Sequence, residues 1–505
     1  MAAKTLMIQG SSSSVGKSLL VTALCRIYAR RGLCVAPFKA QNMSNNAAVC
    51  PDGSEIGRAQ ALQALASGAK LSSDLNPILI KPEADMHSQV ILNGRPFKSL
   101  SAYDYYTYKQ MLWEHATAAL ERLRAQNDLV IIEGAGSPVE LNLKSGDIVN
   151  MAIARYANAP VLLVGDIDRG GIFAQLLGTL WLLDVPEERQ LVRGFLINKF
   201  RGDIRLFEDG VRILKEKSEL PVLGVVPYLK DLNLPEEDAV ALDEQEFDPH
   251  DDSTSINIVV IRLPLISNFD DFDPFRNDSE VRVRYATQVS DIGQPHAIIL
   301  PGTKSTMADL AWLREHGFDR VIREHVQRGG SLVGICGGYQ MLGQRIRDPE
   351  HIESSNDNIE GLGLLPTETF FISEKATYQV HAQVMGRTAW LAGLSESDLQ
   401  GYEIHMGRTN STSTWLKINT RNAIPCEFSD GSITPDGQVW GCYLHGLFRN
   451  TAFRHAWLTS LGWIPKSQLL APQAIDPLEK SLAYLADEVE AAVDINEIQR
   501  IIWAH

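Results

Sequence analysis

The sequence predicts an α/β protein made of two doubly wound domains. Three observations lead there. Across residues 1–232, short strands that are apolar on both faces alternate with helical stretches, as buried parallel strands and their crossover helices do. The same alternation begins afresh at residue 256. Between the two runs, nine of the residues 236–252 are Asp or Glu and none is Lys or Arg, the composition of a solvated linker. A chain of 505 residues is also too long for one core. The expected division is a first domain at 1–232, an acidic linker at 233–255, a second domain at 256–450, and a mainly helical tail at 451–505.

The elements follow in order. Strands are expected at 5–9, 33–37, 129–133, 161–165, 194–198 and 222–225, each a short apolar run rich in Val, Ile and Leu. Helices are expected at 17–31, 56–68, 103–124 and 172–183. In the second domain the strands are 256–261, 297–301, 331–335 and 439–443, with a helical stretch at 339–344. The tail carries no recognisable chemistry.

Composition excludes several classes. A formal net charge of −15 makes nucleic acid an unfavourable partner, because phosphate attraction supplies most non-specific affinity. No apolar run approaches the ~20 residues of a membrane helix, so no membrane insertion is expected. The six cysteines are scattered without a CxxC pair, which suits a reducing cytoplasm better than a disulfide framework or a zinc site. The N-terminus enters a strand at once, without a signal-peptide pattern, and a cytoplasmic protein is expected. Oligomeric state cannot be read from this sequence.

Two stretches carry chemistry. In the first, a strand ends at Gly10, five residues follow, and Gly16-Lys17-Ser18 opens a helix. This is a phosphate-cradling P-loop with one residue more than the standard spacing. The backbone of Gly10, Ser14 and Gly16 would surround phosphate, Lys17 would neutralise its terminal oxygens, and Ser18 would ligate Mg²⁺. Glu133 ends the run Leu129-Val-Ile-Ile and would be the second Mg²⁺ ligand, at the crevice where open α/β sheets bind ligands. Asp166 and Asp168 follow another strand; they would hold metal or water, or form an Asx turn. Asn198 and Lys199 would read the adenine edge or serve as ordinary loop polarity. Amides crowd the stretch after residue 37. Lys39, Gln41, Asn42, Ser44 and Asn45, with Arg58 and Gln60 on the next helix, form an expected contact surface for a large substrate bearing carboxylates and amides.

In the second stretch, Gly334-Ile-Cys336-Gly-Gly338 has the spacing of a strand-to-helix nucleophile elbow. Small residues are needed because the sharp turn brings backbone close. Cys336 would be the nucleophile, at a helix N-terminus, where thiols ionise more readily. The N–H groups of Gly337 and Gly302 would form the oxyanion hole. His445, after the strand 439–443, would be the general base. A nucleotide site activates and a cysteine–histidine site releases, so the joint reading is an amidating ligase: ATP activates a carboxylate and glutamine supplies ammonia.

These motifs together resemble the cobyric acid synthase family, glutamine-dependent amidases of cobalamin biosynthesis. The resemblance runs over nearly the whole chain. It rests on Gly10–Ser18, Phe38–Asn46, Glu55–Gln60, Glu133–Gly136, Asp166–Gly171, Pro301–Thr306, Gly334–Gly343, Gly401–Gly407 and Gly441–Gly446. The P-loop is similar to that of dethiobiotin synthetases, and the second half resembles the flavodoxin-like class I glutamine amidotransferases. The resemblance implies a corrinoid substrate, adenosylcobyrinic acid a,c-diamide, amidated at its b, d, e and g carboxylates with ATP, Mg²⁺ and glutamine. It also implies a shielded passage for ammonia. One departure stands out. Where class I amidotransferases carry a glutamate two residues after the histidine, this chain has Leu447. The expectation is a cysteine–histidine pair, with Glu403 as a candidate orienting carboxylate. The nearest rival is the sister a,c-diamide synthase; the 41–46 loop and Asp168–Gly171 favour the four-amide enzyme. A ParA/MinD-like switch ATPase lacks support, because positions 11–14 are all serine rather than offering a second lysine.

Overall fold

The computed structural model describes residues 2–83, 86–230, 232–235, 237, 255–385, 390–394, 397–465 and 476–504. Most of the predicted acidic linker lies outside the described residues.

The first domain is built on a six-stranded sheet ordered Val222–Pro227, Val192–Phe200, Val161–Asp166, Lys4–Gly10, Leu129–Glu133, Val35–Phe38. Every neighbouring pair is parallel. Helix α1 (Lys17–Arg30) and helix α2 (Arg58–Ser67) cover one face. Ile8 pairs in register with Glu133, so Gly10 and Glu133 leave the same edge of the sheet side by side. That edge is the carboxyl edge, the binding crevice of doubly wound sheets.

The second domain repeats the plan. Its sheet runs Val281–Ala286, Ile256–Ile261, Ala297–Leu300, Ser331–Ile335, Val439–Cys442, with the short antiparallel strand Ser432–Ile433 at the edge. Gly334 pairs with Gly441 and Ile335 with Cys442. The loops carrying Cys336 and His445 therefore start next to each other.

Each domain carries a β insertion that the sequence did not announce. In the first, Gln41–Met43, Ile78–Pro82, His87–Leu92 and Arg95–Ser101 form a four-stranded sheet. In the second, the long strands Thr367–Val384 and Asp398–Ser411 pair antiparallel and extend through Leu416–Arg421 and Ile424–Asp430. Arg95–Ser101 is mostly exposed, and Thr367–Val384 alternates buried positions but fills several of them with threonine, so the apolar signal is weak and pairing across the sheet sustains them.

The tail divides. Helix Thr451–Ser460 packs Phe453 and Trp457 into the second domain. Helices Pro477–Ala492 and Ile495–Trp503 return to the first domain, where Leu482, Leu485, Val489 and Ile498 join the core beside Leu6 and Leu20. Arg26–Glu479 and Arg30–Asp487 pairs, each at 2.6 Å, border that contact. Among the described residues no helix is long and apolar enough to cross a membrane.

Candidate functional site

The phosphate loop turns through Ser14 at φ 58° and Gly16 at φ 95°, left-handed positions that curl successive N–H groups inward. Gly10 is demanded by closeness: a Cβ there would lie 2.9 Å from Lys17 Nζ and 2.7 Å from Val15 Cγ2. Lys17 Nζ donates to the carbonyls of Ser12 at 3.0 Å and Gly136 at 3.1 Å. Ser18 Oγ lies 2.8 Å from Glu133 Oε1 and 2.6 Å from Glu237 Oε2. Lys39 Nζ bridges the same two carboxylates, at 2.9 Å and 2.8 Å. Burial alone would pull its pKa down, but Glu133 and Glu237 more than offset that and hold it raised. Gln63 Nε2 donates to the other oxygen of Glu133.

A hydroxyl facing a buried carboxylate beside a phosphate cradle is the hard-oxygen donor set that Mg²⁺ takes together with nucleotide oxygens and water. The residues present therefore fit the ion. Among the described residues no group of three or more His, Cys, Asp or Glu could hold a metal by itself.

Asn198 and Lys199 brace the loop from outside. Asn198 Nδ2 donates to the Val15 carbonyl and Lys199 Nζ to the Ser14 carbonyl, each at 2.8 Å. Asp166 pairs with Lys199 at 2.9 Å and accepts from the Asp168 N–H at 2.9 Å, the Asx turn that was one of its two readings. Asp168 pairs with Arg201 at 2.7 Å.

The amide-rich stretch and the helix after it are split between several places. Lys39 joins Glu133. Gln41 lines an open groove of about 330 Å³ with Met43, Tyr105, Tyr106, Ser137 and Asn150. Asn42 is buried and donates to Gln60 at 2.9 Å. Ser44 Oγ donates to the Glu237 carbonyl at 2.9 Å, and Asn45 sits half-buried in the same loop. Arg58 turns towards the second domain. It hydrogen-bonds Tyr402 and faces Asp270 at 3.3 Å.

The cysteine stands at an elbow. Cys336 has φ 52° and ψ −109° between the strand Ser331–Ile335 and the helix Gly337–Leu342. A left-handed φ on a non-glycine residue is strained, and such strain concentrates at functional sites. A Cβ on Gly338 would lie 2.0 Å from the Leu300 carbonyl oxygen, which explains the glycine. A Cβ on Gly337 would meet Thr303, and one on Gly302 would come within 2.9 Å of the His445 ring. The Gly302 loop, the elbow and His445 thus converge.

His445 Nδ1 lies 2.7 Å from Asp271 Oδ2, and the other Asp271 oxygen accepts from the Gly446 N–H at 2.7 Å. The carboxylate keeps the proton on Nδ1 and leaves Nε2 for the sulfur. Burial by itself would lower the imidazole pKa. Asp271 and Cys336 outweigh it and raise the value to about 10. Glu403, the candidate orienter, is committed elsewhere: it pairs with Arg421 at 2.8 Å and His405 at 3.5 Å. The expected bare cysteine–histidine pair is a three-residue line with an aspartate 174 residues upstream of the histidine. The signal available in sequence was Asp270-Asp271 between Phe269 and Phe272, two acids in an apolar frame shortly after a buried strand.

A cavity beside Cys336 is walled by both domains: Lys81 and Glu83 from the first, Lys304, Gln340, Glu353 and Lys375 from the second. Lys304 pairs with Glu83 across the seam at 2.6 Å. Burial pushes the Glu353 carboxyl up to about 7 and pulls Lys375 down to about 8 despite its Glu55 partner.

Residues 6–240 match the family model described as the CobQ/CobB/MinD/ParA nucleotide binding domain, and residues 257–453 match the CobB/CobQ-like glutamine amidotransferase domain. The chain is 54% identical over 502 residues to a cobyric acid synthase of Roseiflexus castenholzii, covering 99% of each chain. It is 54% identical to that of Chloroflexus aggregans, again over 99% of both. The chain belongs to the cobyric acid synthase family. As a member of the cobyric acid synthases it is a glutamine-dependent amidotransferase with a nucleotide-binding domain, of the kind that amidates in cobalamin biosynthesis. Among solved structures, PurLQS from Thermotoga maritima is 17% identical with a TM-score of 0.33, covering 41% of this chain and 99% of that one.

Proposed function

We propose that the protein amidates the b, d, e and g side-chain carboxylates of adenosylcobyrinic acid a,c-diamide to adenosylcobyric acid, using one ATP and one glutamine per amide. The observation that carries this reading is the Cys336–His445–Asp271 line on the same chain as a phosphate loop with Ser18 against Glu133.

At the cysteine site, Cys336 attacks the glutamine amide carbon. His445 holds the thiol proton in a thiolate–imidazolium pair, and the imidazolium gives that proton to the departing ammonia. Asp271 holds the imidazole and balances its charge, and the N–H groups of Gly302 and Gly337 receive the oxyanion. Water then releases glutamate from the thioester. A cavity with charges of both signs suits a free amino acid, which carries both.

At the phosphate site, the substrate carboxylate takes the γ-phosphoryl group of ATP, and ammonia displaces phosphate from the acyl phosphate. Gly10, Ser14 and Gly16 shape the cradle, Lys17 neutralises the transferring group, and Asn198 and Lys199 keep the loop in shape. Ser18 and Glu133 would hold Mg²⁺, which offsets charge on the phosphoryl oxygens when bound. The groove at Gln41 is the corrinoid platform. Its rim exposes Met43, Met86, Tyr106 and Leu143, an apolar border that suits a broad ring with polar side chains. Lys39, Asn42, Ser44, Asn45 and Gln60 support that platform from the phosphate side.

The test is mass spectrometry of the corrinoid after incubation with ATP, Mg²⁺ and glutamine. Four stepwise acid-to-amide shifts are expected. Two shifts from unamidated cobyrinic acid, with none from the a,c-diamide, would instead identify the sister reaction.

A further inference from the structure

The catalytic histidine is held from both domains. Asp271 lies in the second domain's own helical turn Phe269–Asn277, and that turn is in turn gripped by the first domain. Arg58, the first residue of α2, faces Asp270 at 3.3 Å and donates to the Tyr402 hydroxyl. The Tyr402 ring stacks on His445 at 5.2 Å and 19°, and the two residues exchange backbone hydrogen bonds at 3.1 Å and 2.9 Å. Next along, the Asn268 N–H donates to Asn46 Oδ1 at 2.7 Å, and the Ala47 N–H donates to Asn268 Oδ1 at 2.9 Å. Asn46, Arg58, Asn268, Asp270, Asp271, Tyr402 and His445 are all buried. A charge in such a place is retained only when paired, and removing its partner leaves the remaining charge uncompensated.

We propose that Arg58 is a positioning residue of the cysteine site, supplied by the nucleotide-binding domain, so that glutamine hydrolysis depends on the first domain being seated on the second. This rests on the glutaminase reading of Cys336 and His445. Arg58 shares Asp270 with Arg449, adds its cation beside the Asp270–Asp271 pair, and fixes the tyrosine that backs the imidazole. Arg449 reaches the same Asp270 oxygen at 2.9 Å, whereas the hydrogen bond to the Tyr402 hydroxyl comes from Arg58. The same helix touches the phosphate site: Gln63, about 7.5 Å further along the axis, donates to Glu133. One rigid element therefore contacts both reaction centres.

The groups facing Arg58 are Asp270, Asp271 and Tyr402; those facing His445 are Asp271 and Cys336. Removing the Arg58 cation leaves the carboxylates' field on His445 less compensated, so the alkaline limb of glutaminase activity should move to higher pH. The experiment compares Arg58→Met, Arg58→Lys and Tyr402→Phe in the full chain, measuring glutamine hydrolysis against pH and, in the same preparations, ammonia-dependent amidation. The expected result is a loss of roughly 10- to 100-fold in glutamine-dependent kcat for Arg58→Met, with the limb displaced. Arg58→Lys should restore the limb and part of the rate. Tyr402→Phe, which keeps the stacked ring, should show a smaller loss of the same kind. Retained ammonia-dependent activity reports that each variant is folded. A wild-type rate and profile for Arg58→Met would overturn the proposal. So would an equal loss with ammonia, which would assign Arg58 to the acceptor substrate or to the fold. If wild-type protein released no ammonia from glutamine, or Cys336→Ala still did, the glutaminase reading itself would fail, independently of Arg58.

Discussion

The phosphate site and the cysteine site are built in opposite ways. The phosphate site is mostly local: one strand, one loop and one helix hold Gly10, Lys17 and Ser18, and a neighbouring strand adds Glu133. Its carboxylate is neutralised by lysine and hydrogen bonds from within the first domain. The cysteine site gathers Cys336, His445 and Asp271 from three separated segments, then leans on Arg58 and Asn46 of the other domain. The difference teaches that the nucleotide-binding domain completes its site from within, while the cysteine site is a structure shared by both domains.

The sharpest break in that contrast is to remove each centre. Cys336→Ala should lower glutamine-dependent amidation by more than about 1,000-fold and leave ammonia-dependent amidation intact. Lys17→Ala should abolish both, as read by phosphate release and corrinoid mass. Loss of the ammonia reaction in folded Cys336→Ala protein would mean that the two sites are not separate.

Asp271→Asn comes next, with a fall on the order of 10²–10⁴-fold in glutamine hydrolysis, because the amide favours the wrong imidazole tautomer. The pH dependence has a definite sign. His445 is raised from 6.5 to about 10 by Asp271 and Cys336 against burial. Its contribution to stability is therefore full below pH 6.5 and is lost as pH rises through about 10. Asp271→Asn should move that loss to lower pH, measurable by denaturant unfolding across the range. An unchanged pH profile would remove Asp271 from the site.

Glu133→Gln should cost roughly 100-fold in ATP-dependent amidation at limiting Mg²⁺, partly recovered by excess metal, with glutamine hydrolysis much less affected. Metal titration of the amidation rate checks it. A loss of glutaminase as large as the loss of amidation would show that the phosphate site commands the cysteine site more strongly than local construction implies.

The smallest effect is expected from Glu403→Gln. Breaking its pair with Arg421 should lower stability by about 1–3 kcal/mol while glutaminase kcat stays within about 2-fold and keeps its pH profile. If it behaved like Asp271→Asn, the orienting carboxylate would be Glu403 and the geometry of His445 would need another account.

Much of this could be read in advance because the signals are local. Continuous apolar runs such as Leu129–Glu133 and Ser331–Ile335 identify buried parallel strands wherever they occur. Glycines at Gly10, Gly16 and Gly338 mark backbone that must turn or approach closely, and the structure gives each a contact or a φ that explains it. In the two insertions the signal fails where a strand is exposed, as at Arg95–Ser101, or buries threonine instead of apolar side chains, as at Thr367, Thr369 and Thr377. From sequence Arg58 reads as a substrate contact, since burial across a domain seam leaves no periodic trace.

What the sequence by itself determined is the pair of chemistries: a phosphate loop and a cysteine elbow are set by residue types at short, fixed spacing, because sterics and hydrogen bonding act between near neighbours. Only the tertiary structure decided who completes them. Asp271 reaches His445, and Arg58 reaches Asp270, across 174 and 212 positions of chain. No local rule links such residues; they meet because the strands at 256–261, 331–335 and 439–442 share one sheet and the two domains bury their polar groups against each other.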